Sequence, residues 1–151
     1  MINGFKDEYR FLSNFYNSSI TWEGDIYPTA EHLYQALKAD NRDDMELVRT
    51  QTTPARAKRT GSCIIGKPDW NSIRREVMMT VLIEKFTQNP LLLQKLVKTG
   101  SMHLAETNTW HDNYWGNCVC PKCEKKEGLN HLGKILMHVR RRCADLATTK
   151  S

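Results

Sequence analysis

The residues with the clearest capacity for chemistry lie in segment 28–38, which reads Pro-Thr-Ala-Glu-His-Leu-Tyr-Gln-Ala-Leu-Lys. Thr29 is a typical helix N-cap, so the segment predicts a helix. With about 100° between successive residues, Glu31, Gln35 and Lys38 share one side of that helix, and the apolar residues share the other. A carboxylate, an amide and an amine on one face can act together on a substrate. Taken alone, however, the pattern favours a solvent-exposed helix face.

A second group of reactive side chains lies in segment 108–117, where turn-forming residues alternate with large aromatic ones. The rings of Trp110 and Trp115 can stack on a planar base or a sugar, and Asp112 can act as a general base or hold a ribose hydroxyl. The alternative is that the tryptophans cover the edge of a core while Asp112 caps a turn. The residues alone favour neither interpretation.

The segment from Asn130 to Lys134 predicts a capped helix start with Gly133 in its first turns. Glycine costs about 1 kcal/mol relative to alanine inside a helix, so its presence calls for a reason. Close packing against another helix is the commoner reason. The other is approach of the backbone to a ligand phosphate at the helix N-terminus.

Three of the five cysteines, Cys118, Cys120 and Cys123, lie within six residues. In a reducing compartment this spacing indicates metal ligation or free thiols rather than a disulfide framework. A structural zinc is therefore a hypothesis that needs one more ligand, and redox catalysis is a weaker one. The candidates for the fourth ligand are His111, His131, Cys63 and Cys143.

The composition of the 151-residue chain, 40% hydrophobic and 26% charged, is typical of one globular domain. Because no apolar run approaches the length of a membrane span and the N-terminus lacks a signal-peptide core, we expect a cytoplasmic protein without a membrane partner. The net charge of +5 fits an anionic partner such as a nucleotide or nucleic acid, although solvated helix faces give the same count.

The elements that must position these residues are mainly helices. A β-hairpin is predicted from 20 to 27, with Glu23-Gly24 as its turn, and a short strand is predicted at 102–106. Segment 11–16 is predicted to be a strand or an ordered loop. We expect Gly61 to end the third helix, and Asn71 or Ser72 to cap the fourth. The helices are predicted at 28–38, 41–50, 54–59, from 71 or 72 to 86, 91–98, and from about 130 into the 140s. The fold class is therefore α+β, a mainly helical single domain over residues 1–151 with a small N-terminal hairpin or sheet.

Six segments occur in a specific order and spacing: 11–15, 27–38, 85–90, 96–100, 112–116 and 128–137. In combination they resemble the NADAR (YbiA-like) family over nearly the whole chain. The resemblance implies an N-glycosidase that acts on a ribosylated base or ribosylamine and needs no cofactor for catalysis. Described family activities include removal of ADP-ribose from guanine in nucleic acid and cleavage of ribosylaminopyrimidine phosphates of riboflavin biosynthesis. The implied partners are a ribosylated nucleobase, ADP-ribosylated nucleic acid or a nucleotide-like small molecule.

The resemblance also implies roles for individual residues. Glu31, Asp112 and Trp115 match the catalytic motifs, and Lys38 matches a lysine proposed in some members to form a Schiff base with the opened ribose. The resemblance leaves open whether Trp110 shares or replaces the role of Trp115. The residues expected to bind substrate are Asn14, Phe15, Gln35, Trp110, Gly116, Asn130 and Gly133.

The chain departs from the simplest family members by a cysteine-rich insertion at about 117–127. This insertion borders the expected pocket and bears on substrate choice. A rival hypothesis from another functional class is a small zinc-containing module that binds nucleic acid or ADP-ribose without turnover.

Overall fold

The computed structural model describes residues 1–148 of the chain. In chain order the elements are β1 (Ile2–Asn3), a 3₁₀ helix (Asp7–Leu12), β2 (Ile20–Trp22), β3 (Asp25–Tyr27), α1 (Ala30–Lys38), α2 (Arg42–Arg49), α3 (Pro54–Cys63), α4 (Trp70–Thr87), α5 (Pro90–Lys98), β4 (Leu104–Ala105), β5 (Thr107–Asn108), β6 (Asn117–Cys118), a 3₁₀ helix (Pro121–Cys123) and α6 (His131–Thr148). Helices dominate this part of the chain, and its strands form three separate two-stranded sheets. The predicted mainly helical α+β class is confirmed.

The chain divides into two compact units, one formed by Met1–Ser13 with the chain from Pro90 onward, the other by Asn14–Asn89. The expectation of a single domain therefore stays a prediction. Among residues 1–148, no helix is both long and apolar enough to cross a bilayer.

In the unit Asn14–Asn89, strands β2 and β3 pair antiparallel, with Ile20 opposite Tyr27. Glu23 and Gly24 both have positive φ, +50° and +85°, which is the conformation of the two-residue hairpin turn that matches strand twist. The predicted hairpin is confirmed, and it leads directly into α1.

Helix α1 begins where the sequence predicts, because the Thr29 hydroxyl accepts a hydrogen bond from the His32 N–H at 3.1 Å. Helices α2, α3 and α4 all pack against it. Every residue from Ala30 to Ala36 is consequently buried, and Glu31 and Gln35 are only 6% and 8% exposed. The interpretation of the polar side as a solvated face is wrong.

Helix α3 does not end at Gly61, as predicted, but continues to Cys63. A Cβ at Gly61 would lie 2.1 Å from the Gln35 Oε1 atom, so the glycine allows α3 to approach α1 closely. The predicted cap of α4 is also wrong, because the helix begins earlier, at Trp70, from a turn in which the Trp70 N–H donates to the Lys67 carbonyl. Both predictions rest on neighbouring residues alone. The contact between α3 and α1 and the turn before α4 instead determine where these helices end and begin.

In the other unit, β1 pairs parallel with β4, and α6 packs against both β4 and α5. The strand predicted at 102–106 is thus confirmed as β4, while β1 is too short for a sequence pattern to reveal. Segment 11–16 contains the end of a 3₁₀ helix followed by a turn, so it is an ordered loop and not a strand. Arg140 is buried and donates to Thr99 Oγ1 at 2.9 Å and the Met102 carbonyl at 2.8 Å, which removes it from the surface charge.

His32 makes the stability of the fold sensitive to acid. Its Nε2 lies 2.9 Å from the Gln51 carbonyl, and its Nδ1 lies 2.7 Å from Thr29 Oγ1, which fits the neutral ring. Burial lowers the pKa of His32, against a smaller opposing effect of the Gln51 hydrogen bond. The neutral ring therefore contributes stability above the unfolded-state pKa of about 6.5, and this contribution is lost as the pH falls through the lower folded-state value.

We expect the free energy of unfolding to fall between pH 7 and pH 5 more steeply in the native chain than in His32→Gln. Urea titrations at several pH values measure this difference. The exposed His103 supplies the control, since His103→Gln should keep the native slope. Equal slopes for the native chain and His32→Gln would contradict the assignment.

Candidate active site

Glu31 lies in the first turn of α1, where the helix dipole favours a carboxylate. Its backbone N–H donates to the Asn14 carbonyl at 3.0 Å, and its Oε1 accepts from Gln35 Nε2 at 2.9 Å. Three residues predicted for the site, Asn14, Glu31 and Gln35, are therefore brought together in one unit.

Asn14 carries an unsatisfied polar atom. Its Nδ2 lies 3.3 Å from Met78 Sδ, whereas its Oδ1 is buried and has no hydrogen-bond partner among the described residues. An unpaired buried oxygen costs about 1–3 kcal/mol, which a donor from a ligand would recover. The neighbouring Phe15 is 40% exposed and can offer its ring to the same ligand.

The side chain of Lys38 is hydrogen-bonded to helix α3 and not to Glu31, the partner of Gln35. Its Nζ donates to the Gly61 carbonyl at 2.9 Å, and its stem passes Gly66, where a Cβ would approach Lys38 Cε to 3.2 Å. Gly66 thus leaves room for the side chain, and Gly61 binds its amine through the backbone carbonyl. Lys38 is half-buried, so its amine is held in place beside α3.

Lys85 lies in segment 85–90, one of the segments that resemble the NADAR family, and no role was predicted for it. It is fully buried, with Nζ 5.2 Å from the centroid of the Phe86 ring and 6.0 Å from that of Tyr16. Burial lowers the pKa of Lys85 to about 7. Lysines in such surroundings serve as nucleophiles, so Lys85 is a second candidate amine. In the sequence, the position of Lys85 beside the apolar residues of α4 is the signal that could have indicated its burial.

Asp112 belongs to the unit that contains α6. Its Oδ1 accepts hydrogen bonds from the backbone N–H groups of Tyr114 and Trp115, at 3.1 and 2.9 Å. The side chain of Asn108 binds both the N–H and the carbonyl of Asp112, at 3.2 and 2.8 Å. Oδ1 therefore caps a turn, while Oδ2 has no hydrogen-bond partner in residues 1–148 and is available to a substrate.

The Asp112 loop, residues 109–116 between β5 and β6, contacts the start of α6. The N–H groups of Asn130, His131 and Leu132 donate to the carbonyls of Gly116, Tyr114 and Trp115, at 3.1, 3.2 and 2.9 Å respectively. These bonds satisfy donors that a helix N-terminus leaves without partners inside the helix. Trp115 and Asn130 are thereby brought into one cluster with Asp112.

The two glycines predicted to bind substrate both lie in crowded places. A Cβ at Gly133 would lie 2.1 Å from the Leu104 carbonyl oxygen, and one at Gly116 would lie 1.8 Å from Glu106 Oε2. Close packing therefore accounts for Gly133, against strand β4 rather than against another helix.

Glu106 is a carboxylate that the sequence reasoning missed. Its Oε2 accepts from Asn108 Nδ2 at 3.2 Å, and the same Asn108 side chain binds the backbone of Asp112. Its N–H donates to Asn130 Oδ1 at 3.0 Å. A carboxylate placed directly after a buried strand was the signal that could have identified it.

The two tryptophans of the loop differ in their surroundings. Trp115 is half-buried, and its ring meets that of Tyr114 edge-on at 4.9 Å between centroids. Trp110 is 60% exposed, so the interpretation that both rings cover a core edge does not hold for it.

The predicted cysteine cluster gains its fourth member in the fold. The donor atoms of His111, Cys118, Cys120 and Cys123 all lie within 4.8 Å of one another, a group that can hold a metal ion. Of the four candidates for the additional ligand, His111 is the one that joins the group.

Residues 3–144 match the family model of the NADAR domain. The chain therefore belongs to the NADAR family, as the sequence motifs predicted.

The chain is similar to proteins named as N-glycosidases and to a riboflavin biosynthesis protein, and it covers different shares of their lengths. An N-glycosidase of Nostoc punctiforme is 34% identical over 143 residues, a match that covers 91% of this chain and 88% of the relative. N-glycosidase YbiA of Escherichia coli (strain K12) is 35% identical over 141 residues, covering 91% and 84%. A riboflavin biosynthesis protein of Vibrio vulnificus is 38% identical over 136 residues, but this chain spans only 35% of its length.

The NMR structure of Escherichia coli YbiA has a similar fold. It superposes with a TM-score of 0.85 at 31% sequence identity, over 97% of this chain and 86% of that one.

Replacement of Gly61 by alanine should destabilise the protein, because the added methyl group would collide with the Gln35 side chain and displace it from Glu31. Overpacking of this kind costs about 1–3 kcal/mol. Urea unfolding measures the loss. The neighbouring exposed position supplies a matched control, since Ser62→Ala should change stability by less than about 0.5 kcal/mol. A Gly61→Ala variant as stable as the native chain would refute the close contact.

Proposed function

We propose that the chain hydrolyses the N-glycosyl bond of a ribosylated base, with Glu31 and Asp112 as its principal acid/base groups. The observation that carries the proposal is the buried Glu31, held at the first turn of α1 by Asn14 and Gln35. Relatives named N-glycosidases, which match most of their own length, confirm the predicted enzyme class. They speak against the rival hypothesis of a binding module without turnover.

Cleavage of the bond between C1′ and nitrogen develops positive charge at C1′, and the departing nitrogen must take up a proton. Water supplies the hydroxyl group that ends on C1′ and the proton that the leaving group carries away. A carboxylate close to C1′ can stabilise the charge and move the proton. Glu31 in its buried setting and Oδ2 of Asp112 are suited to these tasks.

For the remaining predicted residues we propose two kinds of role, binding the substrate and shaping the backbone. Trp115 and Phe15 offer rings for stacking, with Trp110 as a further exposed ring. The side-chain amides of Asn14 and Gln35 bind sugar hydroxyls. The buried Oδ1 of Asn14, which has no hydrogen-bond partner among the described residues, supports this role. Gly116, Asn130 and Gly133 contribute mainly by shaping the backbone around the Asp112 loop.

Lys38 is proposed as the amine that captures the opened ribose. After ring opening, C1′ is an aldehyde carbon, with which an unprotonated lysine amine condenses to a Schiff base and releases water. Addition of water later returns the free amine and the sugar. Lys85, with its pKa lowered to about 7, is the second candidate for this step.

The substrate that we propose first is guanine carrying ADP-ribose in nucleic acid, and the basic chain fits such an anion. The second candidate is a ribosylaminopyrimidine phosphate. It is favoured by the Vibrio vulnificus relative named for riboflavin biosynthesis, of which this chain spans only 35%. None of the five cysteines, all of which lie in the described part of the chain, forms a disulfide, and this supports the cytoplasm as the place of action. Mass spectrometry after incubation with each substrate separates the two candidates.

Glu31→Gln should lower the rate of product release by about 10²–10⁴-fold, because general acid/base catalysis contributes that much. Binding should be largely retained, since the amide keeps the size of the side chain. Single-turnover assays and substrate titration measure the two quantities. Glu76→Gln, at an exposed position of α4, is the control and should keep full activity. Full activity of Glu31→Gln would reject the assignment.

Borohydride should trap a covalent adduct between Lys38 and the opened ribose, since reduction converts a Schiff base into a stable secondary amine. Peptide mapping of the trapped enzyme identifies the modified residue. Lys38→Ala should abolish the adduct, whereas Lys58→Ala, at an exposed position of α3, should not. An adduct that persists in Lys38→Ala would contradict the role, and mapping to Lys85 would then reassign it.

A further inference from the structure

One ring nitrogen lies close to three sulfur atoms in the cysteine-rich segment. The Nδ1 atom of His111 is 3.3 Å from Cys120 Sγ, 3.4 Å from Cys123 Sγ and 3.9 Å from Cys118 Sγ. Cys118 and Cys123 are buried, so the cluster is not a chance meeting of surface groups. A single nitrogen presents one lone pair or one N–H and cannot form good hydrogen bonds with three thiols at once.

These distances suit a shared cation. For a tetrahedral zinc ion with Zn–N of about 2.0–2.1 Å and Zn–S of about 2.3 Å, the nitrogen lies about 3.6 Å from each sulfur, and the sulfurs lie about 3.8 Å apart. The three distances from Nδ1 bracket the first value. All four donor atoms lie within 4.8 Å of one another, as a common ligand shell requires.

We propose that His111, Cys118, Cys120 and Cys123 bind one Zn²⁺ ion, and that this centre holds the loop that carries Asp112. Three thiolates and an imidazole are a donor set typical of structural zinc. Binding releases the three thiol protons to solvent and changes no oxidation state. Since protein atoms fill all four positions, no position remains for water or substrate, and the centre is structural.

The surroundings of the sulfurs support this assignment. The backbone N–H of His111 points at Cys118 Sγ at 3.3 Å, and Asn113 Nδ2 points at Cys123 Sγ at 3.5 Å. Donors aimed at sulfur stabilise the thiolate form that a metal requires. His111 also adopts a φ of +68°, an uncommon backbone conformation for a residue without glycine's freedom. Such strain persists where other interactions hold the residue in place.

The centre is linked to the loop on both sides of Asp112. His111 precedes Asp112 and supplies the nitrogen ligand, while Asn113 follows it and binds both Cys123 Sγ and, through its Oδ1, the Cys118 N–H at 2.9 Å. Strands β5 and β6 place Asn108 opposite Cys118, so the residue that orients Asp112 is paired with a ligand. The catalytic relevance of this link rests on the proposed function, whereas metal binding does not.

Metal analysis of the purified full chain tests the first part of the proposal. We expect close to one zinc ion per chain, and Co²⁺ substitution should give the visible absorption of a tetrahedral site with thiolate ligands. Cys120→Ser and His111→Ala should each weaken metal retention in competition with a chromophoric chelator by at least about tenfold. Cys63→Ser, which alters an exposed cysteine outside the group, is the matched control and should bind normally. Absence of zinc together with no uptake of Co²⁺, or native affinity in both ligand variants, would overturn the metal site.

Hydrogen exchange of the native chain, with and without chelator, tests the second part. Removal of zinc should raise exchange in residues 109–120 while leaving α1 protected, and restored zinc should reverse the change. Unchanged exchange in a chain shown to have lost its metal would overturn the structural role. Both readouts are independent of turnover, so a zinc-loaded chain that cleaves no ribosylated base would contradict only the proposed function.

Discussion

Helix α1 is surrounded by three other helices and buries a carboxylate, an imidazole and an amide within seven residues. Polar groups removed from water must find partners inside the protein, and this requirement organises the unit around them. Glu31 is paired with Gln35, and His32 is held between Thr29 and Gln51. The same burial holds Glu31 in a fixed position at the start of the helix, and we propose that it acts in catalysis from there.

The Asp112 loop is stabilised by a different means. It is irregular, so its backbone groups bond to the start of α6 and to the side chain of Asn108 rather than to a sheet. Gly133 lets α6 approach β4 closely enough to offer its first N–H groups to the loop. The loop also contributes His111 to the group that can hold a metal ion, and the cysteine-rich segment contributes Cys118, Cys120 and Cys123. In our proposal the insertion, which bears on substrate choice, also stabilises the loop that carries Asp112.

Hydrolysis of an N-glycosyl bond places modest demands on a protein: carboxylates near C1′, a surface for the base and control over the opened sugar. The chain belongs to the NADAR family, and we propose Glu31, Asp112 and Lys38 for these tasks. Much of the fold was predictable, because the cap of α1 and the turn of the hairpin are local signals. The family was predictable from the order of the motifs along the chain. Glu106 and Lys85 were not identified as site candidates, because their local signals, a position after a short strand and a position on the inner face of α4, do not reveal what surrounds them in the fold.

The sequence by itself determined the helices, the hairpin and the family, since caps, turn residues and apolar periodicity act over a few neighbouring residues. Only the tertiary structure decided that the polar side of α1 is buried and that Gly61 continues a helix instead of ending it. It also selected His111 from four candidates as the partner of the three cysteines. These outcomes depend on which surfaces meet across long stretches of chain, and the amino-acid pattern of one segment carries no record of the segment packed against it.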